Sequence, residues 1–299
     1  MYDFSLQECT VCPRKCKADR RVSKGVCSGG EKVRVALAGL HRWEEPCISL
    51  GNGSGTVFFS GCTLKCVYCQ NHEISSGNKG VDITVEQLAR TFVSLVNKGA
   101  CNINLVTPTH YTPQIAQALR IADLSVPVVY NCSGYELPET IKQLDGLVDI
   151  YLTDMKYYDS EISARYSKAP DYFKWASQSV KEMIRQTGPA QFDEDGRMIK
   201  GVLIRHLVMP GLTDQTKKIL DWIWNNLPHD TYISLMNQYF PSGNAESYPE
   251  INRRTTAEEY DEVVDYLIEL GFENGFLQEA ESAVSDYVPV FDLSGIVTD

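Results

Sequence analysis

The chain has 299 residues, is 43% hydrophobic and 22% charged, and carries a net charge of −11. That is the balance of an ordinary globular protein long enough for a full core, and its acidity argues against a general nucleic-acid surface, which needs clustered Lys and Arg. The longest apolar stretches are strand-sized, so no membrane span is expected, and Met1-Tyr2-Asp3-Phe4-Ser5 lacks the basic and apolar regions of a signal peptide, so the expected location is cytoplasmic.

Ten cysteines in a chain of that compartment point to metal ligands rather than disulfides, because the compartment keeps thiols reduced. Four of them open the chain. Cys9, Cys12, Cys16 and Cys27 follow a C-x2-C-x3-C-x10-C spacing among eight Lys and Arg residues. Residues 1–36 carry +4, which leaves −15 for the remainder. Four thiols in a segment with little apolar content suggest a fold organised by metal, since binding energy replaces the missing core. Structural zinc and an auxiliary iron-sulfur cluster are both compatible with the spacing, and a solvated basic tail is the alternative. The simplest division is a Cys-rich metal-binding extension over residues 1–50 and a main domain over 51–299. Gly51-Asn52-Gly53-Ser54-Gly55 reads as a turn into the first strand, since it has neither the G-x-G-x-x-G spacing nor a P-loop Lys.

The apolar run Thr56-Val57-Phe58-Phe59 leads directly into Cys62-Thr63-Leu64-Lys65-Cys66-Val67-Tyr68-Cys69. Three thiolates within eight residues are enough to hold three corners of an iron-sulfur cubane, leaving one iron open to a small molecule. A zinc knuckle or buried thiols are the alternatives, but zinc would need a fourth ligand and only His72 stands nearby. At these residues the chain resembles the radical SAM superfamily, whose C-x3-C-x-aromatic-C loop is matched by Cys62, Cys66, Tyr68 and Cys69. His41-Arg42-Trp43-Glu44-Glu45-Pro46-Cys47, together with Cys69-Gln70-Asn71, is similar to a subgroup named pyruvate formate-lyase activating enzyme-like proteins. The resemblance implies a [4Fe-4S] cluster chelated by S-adenosylmethionine (SAM), reductive cleavage to a 5′-deoxyadenosyl radical, and an electron donor such as flavodoxin or ferredoxin.

Beyond the cysteine loop, short apolar runs alternate with longer amphipathic ones, the signature of β-α units around a parallel sheet. Strands are predicted at 102–107, 126–130, 148–153, 201–208 and 232–235, and a short candidate at 275–278 extends the series. Helices are predicted at 84–98, 113–121, 137–144, 172–186, 214–226 and 256–270. Thr84 and Gln87 form a capping box, with Leu88, Phe92, Leu95 and Val96 on one face. With the strand before the cysteine loop, the fold class is α/β, a partial (β/α)6 barrel of TIM type with an N-terminal Cys-rich extension.

Function in such barrels gathers at the C-terminal strand ends. There the chain carries Thr107-Pro108-Thr109-His110, where many radical SAM proteins have Gly-Gly-Glu, and hydroxyls or carbonyls of Thr107 and Thr109 are candidates to hold the SAM amino group. Asn131-Cys132-Ser133 follows the next strand and resembles the turn near the SAM methionine, with Asn131 and Ser133 as contacts. Asp154-Met155-Lys156 is similar to the Asp-x-Lys of glycyl-radical activating enzymes, which implies that both side chains lie near SAM, with Lys156 on its carboxylate. Arg205 is a candidate for the SAM carboxylate or ribose, while strand alternation sends His206 to the opposite face. Tyr239 is a candidate neighbour of the adenosine. Cys101 and Cys132 read as packed thiols, and Trp43-Glu44-Glu45 either lines the site or joins the two parts of the chain. The function implied is glycyl-radical activation of a protein. Radical modification of a peptide, small molecule or RNA, and a non-catalytic metal-binding module, are the alternatives.

Overall fold

The computed structural model describes residues 6–278 and 289–299; the five residues behind the signal-peptide expectation lie outside that part. Ten strands are described: β1 (Val33–His41), β2 (Ser54–Phe59), β3 (Val81–Ile83), β4 (Ile103–Val106), β5 (Val128–Cys132), β6 (Ile150–Asp154), β7 (Gln191–Phe192), β8 (Met198–Leu207), β9 (Tyr232–Met236) and β10 (Gly275–Leu277). The helices are α1 (His72–Ser75), α2 (Val85–Asn97), α3 (Thr112–Ala122), α4 (Pro138–Ile141), α5 (Ser160–Ser167), α6 (Tyr172–Thr187), α7 (Thr213–Asn226) and α8 (Ala257–Leu270). None of the described helices is long and apolar enough to cross a membrane.

One sheet runs in the order β10-β9-β8-β6-β5-β4-β2-β1-β3, with β7 paired to β8. The seven strands from β10 to β2 are all parallel. Strands β2, β4, β5 and β6 are buried along their whole length. Helices cover one side and barrel-facing side chains the other, so these strands read as continuous apolar runs rather than alternating ones. The result is the expected open α/β barrel of TIM type, with β10 as the seventh parallel strand. Its helices behave as their sequences require. Thr84 accepts from the Gln87 N–H and the Gln87 side chain accepts from the Thr84 N–H, which ties down two otherwise orphaned donors. Leu88, Phe92 and Leu95 then face the core, each contributing about 1.5–3 kcal/mol by burial.

Three local features differ from the expectation. The sheet starts ahead of residue 50, because β1 pairs antiparallel with β2 from His41↔Ser54 to Val35↔Phe59 and also with β3. The segment expected as one helix over 137–144 is a single turn of α4 followed by a 3-10 turn, Lys142–Leu144. The sequence pattern predicts no helix at α5, whose eight residues carry only a weak apolar stripe.

The N-terminal segment is packed rather than a solvated tail. Cys9, Val11, Cys12 and Cys27 are buried, and Arg20, 1% exposed, donates to the carbonyls of Gly30 and His110. Thr140 Oγ1 donates to the Val11 carbonyl at 2.6 Å, fixing the segment to α4.

Candidate active site at the strand ends

The C-terminal ends of β2, β4, β5, β6, β8 and β9 open on one cavity of about 260 Å³. Cys62, Cys66 and Cys69 form one wall, and Asn131, Asp154 and Arg205 rise from the strands. The loop leaves β2 at Gly61, whose φ of +86° and lack of Cβ matter, because a side chain there would strike the Cys27 carbonyl oxygen. Each loop sulfur meets one hydrogen-bonding group. Cys62 Sγ accepts from the Leu64 N–H at 3.4 Å, Cys66 Sγ accepts from Ser167 Oγ at 3.0 Å, and Cys69 Sγ lies 3.3 Å from Ser75 Oγ. Such partners suit thiolates that carry metal, whose charge they stabilise. Burial pushes the metal-free thiols up, Cys62 to about 12 and Cys66 to about 11, so metal loading must displace their protons.

Behind Cys66 runs a hydroxyl chain. Tyr68 and Tyr157 share a hydrogen bond of 2.6 Å, Tyr157 and Ser167 one of 2.7 Å, and Ser167 then donates to Cys66. The aromatic of the cysteine motif therefore supports the loop from behind as well as lining the cavity.

The floor is a buried ionic cluster. Arg205 donates from Nε to Asp154 Oδ1 at 2.9 Å and from Nη2 to Asn131 Oδ1 at 2.6 Å, and its Nη1 lies 3.4 Å from Glu44 Oε2. Asp154 Oδ2 takes Lys156 Nζ at 2.6 Å. Burial raises the Asp154 carboxyl, but Arg205 and Lys156 outweigh it and hold that group below the usual carboxylate range. Glu45, 3.9 Å from Arg205 Nε, is pushed up to about 7 by burial that Arg205 only partly offsets. Of the Trp43-Glu44-Glu45 motif, Glu44 belongs to this site. It lines the cavity with Trp43 and accepts from Asn104 Nδ2 at 2.9 Å.

Most of the predicted contacts converge. Tyr68, Thr107, Asn131, Ser133, Asp154, Lys156, Arg205 and Tyr239 all line the cavity with the three cysteines. Thr107 has φ +60°, a left-handed conformation that is an outlier for a β-branched residue and of the kind stored at ligand sites. Ser133 Oγ is buried with no hydrogen-bond partner among the described residues, as a group awaiting a polar ligand would be. Thr109 is not brought there. A 3-10 turn, Thr109–Tyr111, carries it inward, where its hydroxyl donates to Glu136 Oε1 at 2.5 Å. His110 is likewise structural, bonded through Nε2 to the Ser60 carbonyl oxygen, and His206 faces Thr216 and the Met155 carbonyl on the far side of β8. Tyr239 donates its hydroxyl to the Ile251 carbonyl, so it offers the cavity an apolar ring. Gln70, Asn71 and Gln238 also line the wall; as polar residues in loops they gave no periodic signal.

The model of the Radical SAM superfamily matches residues 56–223, more than half of the chain. The chain belongs to the radical SAM superfamily. An uncharacterized protein of Methanocaldococcus jannaschii, MJ0674, is 33% identical over 270 residues, covering 87% of this chain and 74% of its own. Among solved structures, native anSMEcpe with bound AdoMet has a TM-score of 0.49 at 12% identity, covering 73% of this chain and 61% of its own. HydG, the FeFe-hydrogenase maturase of Carboxydothermus hydrogenoformans, has a TM-score of 0.49 at 14% identity, covering 79% of this chain and 55% of its own. SuiB of Streptococcus suis bound to SAM has a TM-score of 0.48 at 14% identity, covering 73% of this chain. The chain spans about half the length of that SuiB structure, 48%. The radical SAM family carries a [4Fe-4S] cluster and SAM. The sulfur partners at Cys62, Cys66 and Cys69 and the unpartnered Ser133 hydroxyl fit those groups.

Proposed function

We propose that this radical SAM protein holds its [4Fe-4S] cluster through Cys62, Cys66 and Cys69 and generates a 5′-deoxyadenosyl radical that takes hydrogen from a protein or peptide, a glycyl-radical protein first among them. When bound, the cluster and SAM supply the reductive cleavage; the protein supplies orientation, charge and exclusion of water. A one-electron donor of the flavodoxin or ferredoxin kind completes the system.

The observation that carries this reading is the meeting of the three cysteines with Asp154 and Lys156 at one cavity. Lys156 is the available cation for the SAM carboxylate, since Asp154 holds its ammonium at the rim of the ionic cluster. Arg205, expected at the carboxylate or ribose, is already engaged by Asp154, Asn131 and Glu44, so its role is to hold the floor rigid. Thr107 offers its hydroxyl and carbonyl to the SAM amino group in place of a Gly-Gly-Glu carboxylate. Ser133 offers its free hydroxyl, and the Tyr239 ring lies ready for the adenine.

Against a non-catalytic module stands the cost of this floor. Desolvating several charges in one cavity contributes little net stability, and apolar residues would serve a purely structural barrel as well or better. The glycyl-radical reading draws its support from the Asp154-Met155-Lys156 resemblance.

Anaerobic reduction of the reconstituted protein with SAM is expected to yield 5′-deoxyadenosine and methionine, and Cys62→Ala, Cys66→Ala or Cys69→Ala to abolish both. Wild-type rates in the triple variant would overturn the assignment. Incubation with a glycyl-radical protein should produce a carbon-centred radical signal by electron paramagnetic resonance (EPR), and 5′-deoxyadenosine without that signal would move the target to another substrate class.

A further inference from the structure

We propose that Cys9, Cys12, Cys16 and Cys27 bind a second iron-sulfur cluster, in electronic contact with the cluster at Cys62, Cys66 and Cys69 through the backbone of Cys27. The inference rests on the core-cluster reading above for its second half only.

The four N-terminal thiols are gathered. The Lys17 N–H donates to the Cys9 carbonyl and the Lys15 N–H to the Cys12 carbonyl, both at 3.0 Å, so one folded loop carries Cys9, Cys12 and Cys16. A Cβ on Gly25 would lie 3.3 Å from Cys27 Sγ and 3.4 Å from Cys16 Sγ, so those two sulfurs are no farther apart than the sum of the two. The Gly29 N–H donates to Cys27 Sγ at 3.4 Å, the same kind of contact that Leu64 makes to Cys62.

The sulfur contacts favour iron-sulfur over zinc. Cys27 takes the N–H two residues on just as Cys62 does, so the N-terminal set repeats a feature of the loop whose family holds a four-iron cluster.

The segment also needs a centre. Cys9, Cys12 and Cys27 are among its few buried side chains, and no described residue of 6–32 belongs to a hydrophobic core cluster. Ordering these residues without an apolar core costs about 1–2 kcal/mol each in backbone entropy, which metal binding would offset.

Contact with the core loop is direct. The Cys62 N–H donates to the Cys27 carbonyl at 3.2 Å, an approach that the missing Cβ of Gly61 allows. Arg14, between Cys12 and Cys16, donates to the carbonyls of Thr63, Ser167 and Lys168, so a second bridge joins the two loops. A ligand of one site is thereby one hydrogen bond from a ligand of the other.

The full chain, reconstituted anaerobically with iron and sulfide, decides the matter by counting iron, sulfide and zinc in three forms. Wild type should hold about eight iron atoms, and about four should remain both in the Cys62→Ala/Cys66→Ala/Cys69→Ala variant and in the variant with Cys9, Cys12, Cys16 and Cys27 all changed to Ala. The fully reduced wild type should give an EPR spectrum broadened or split relative to the sum of the two variants. If the N-terminal variant does not fold, the Cys62/66/69 variant decides alone: retained iron and sulfide support the second cluster. The two readings fail separately. A Cys62/66/69 variant without iron, or with stoichiometric zinc, overturns the N-terminal cluster, and one with the wild-type iron content overturns the core assignment. A wild-type spectrum equal to the sum overturns the electronic contact.

Discussion

Ser167 donates its hydroxyl hydrogen to Cys66 Sγ across 3.0 Å, although 101 residues of chain separate them. The Tyr157 hydroxyl, 2.7 Å away, orients that donor from behind. Hydrogen bonds to cluster sulfurs raise the reduction potential by stabilising the more negative, reduced state. Ser167→Ala should therefore lower the potential of the core cluster. A bond of about 1 kcal/mol corresponds to roughly 40 mV for one electron. A redox titration followed by EPR measures it, and an unchanged potential would remove Ser167 from the tuning of the site.

Asp154 is the shared anion between Arg205 and Lys156, so its removal leaves the buried Lys156 ammonium without its carboxylate and Arg205 with its longer contact to Glu44. Asp154→Ala should lower unfolding stability by about 3–5 kcal/mol, the usual cost of breaking one side of a buried pair. Lys156→Met removes a single cation and leaves Asp154 bonded to Arg205, so its stability loss should be smaller while SAM affinity falls by tenfold or more. Urea unfolding and equilibrium SAM binding separate the two effects.

Arg14 should act as a clamp on the cysteine loop. Its guanidinium reaches three carbonyls on two segments, a fork that the single ammonium of Lys cannot reproduce. Arg14→Ala and Arg14→Lys should both release iron to a chelator several-fold faster than wild type. Rescue by Lys would show that charge, rather than the fork, is what matters.

Glu136 gives a pH signature away from the cysteines. It is buried beneath Thr109 and Tyr130, and burial raises its carboxyl from 4.5 to about 8. A carboxyl raised on folding stabilises the fold fully below pH 4.5, and that contribution is lost as pH rises toward 8. Unfolding free energy should thus fall across this window, by at most about 1.4 kcal/mol per pH unit from one proton. Glu136→Gln keeps a neutral acceptor for Thr109 and should flatten the slope. Denaturant midpoints from pH 5 to 9 in the two proteins check it, and parallel profiles would assign the slope to another group.

How much of this was legible in the sequence follows from the range of the interactions involved. The cysteine loop, the barrel strands and the capped helix after Thr84 are local patterns, so the sequence by itself determined them: ligand spacing, apolar runs and 3.6-residue periodicity need no partner to be read. Asn131, Asp154 and Arg205 were legible for a related reason, because strand ends in a parallel barrel converge wherever the chain places polar residues there. Thr109 and Thr107 show the limit of that rule. Two residues apart at one strand end, the first is turned inward to Glu136 by a 3-10 turn and the second lines the cavity with φ +60°. Only tertiary structure decided that Glu44 belongs to the floor, that a weakly patterned α5 delivers Ser167 to Cys66, and that Cys27 lies against Cys62. Each of these depends on isolated hydrogen bonds or ion pairs between residues distant along the chain. Such contacts leave no periodic trace, because one polar side chain meeting one partner constrains neither residue's neighbours in sequence.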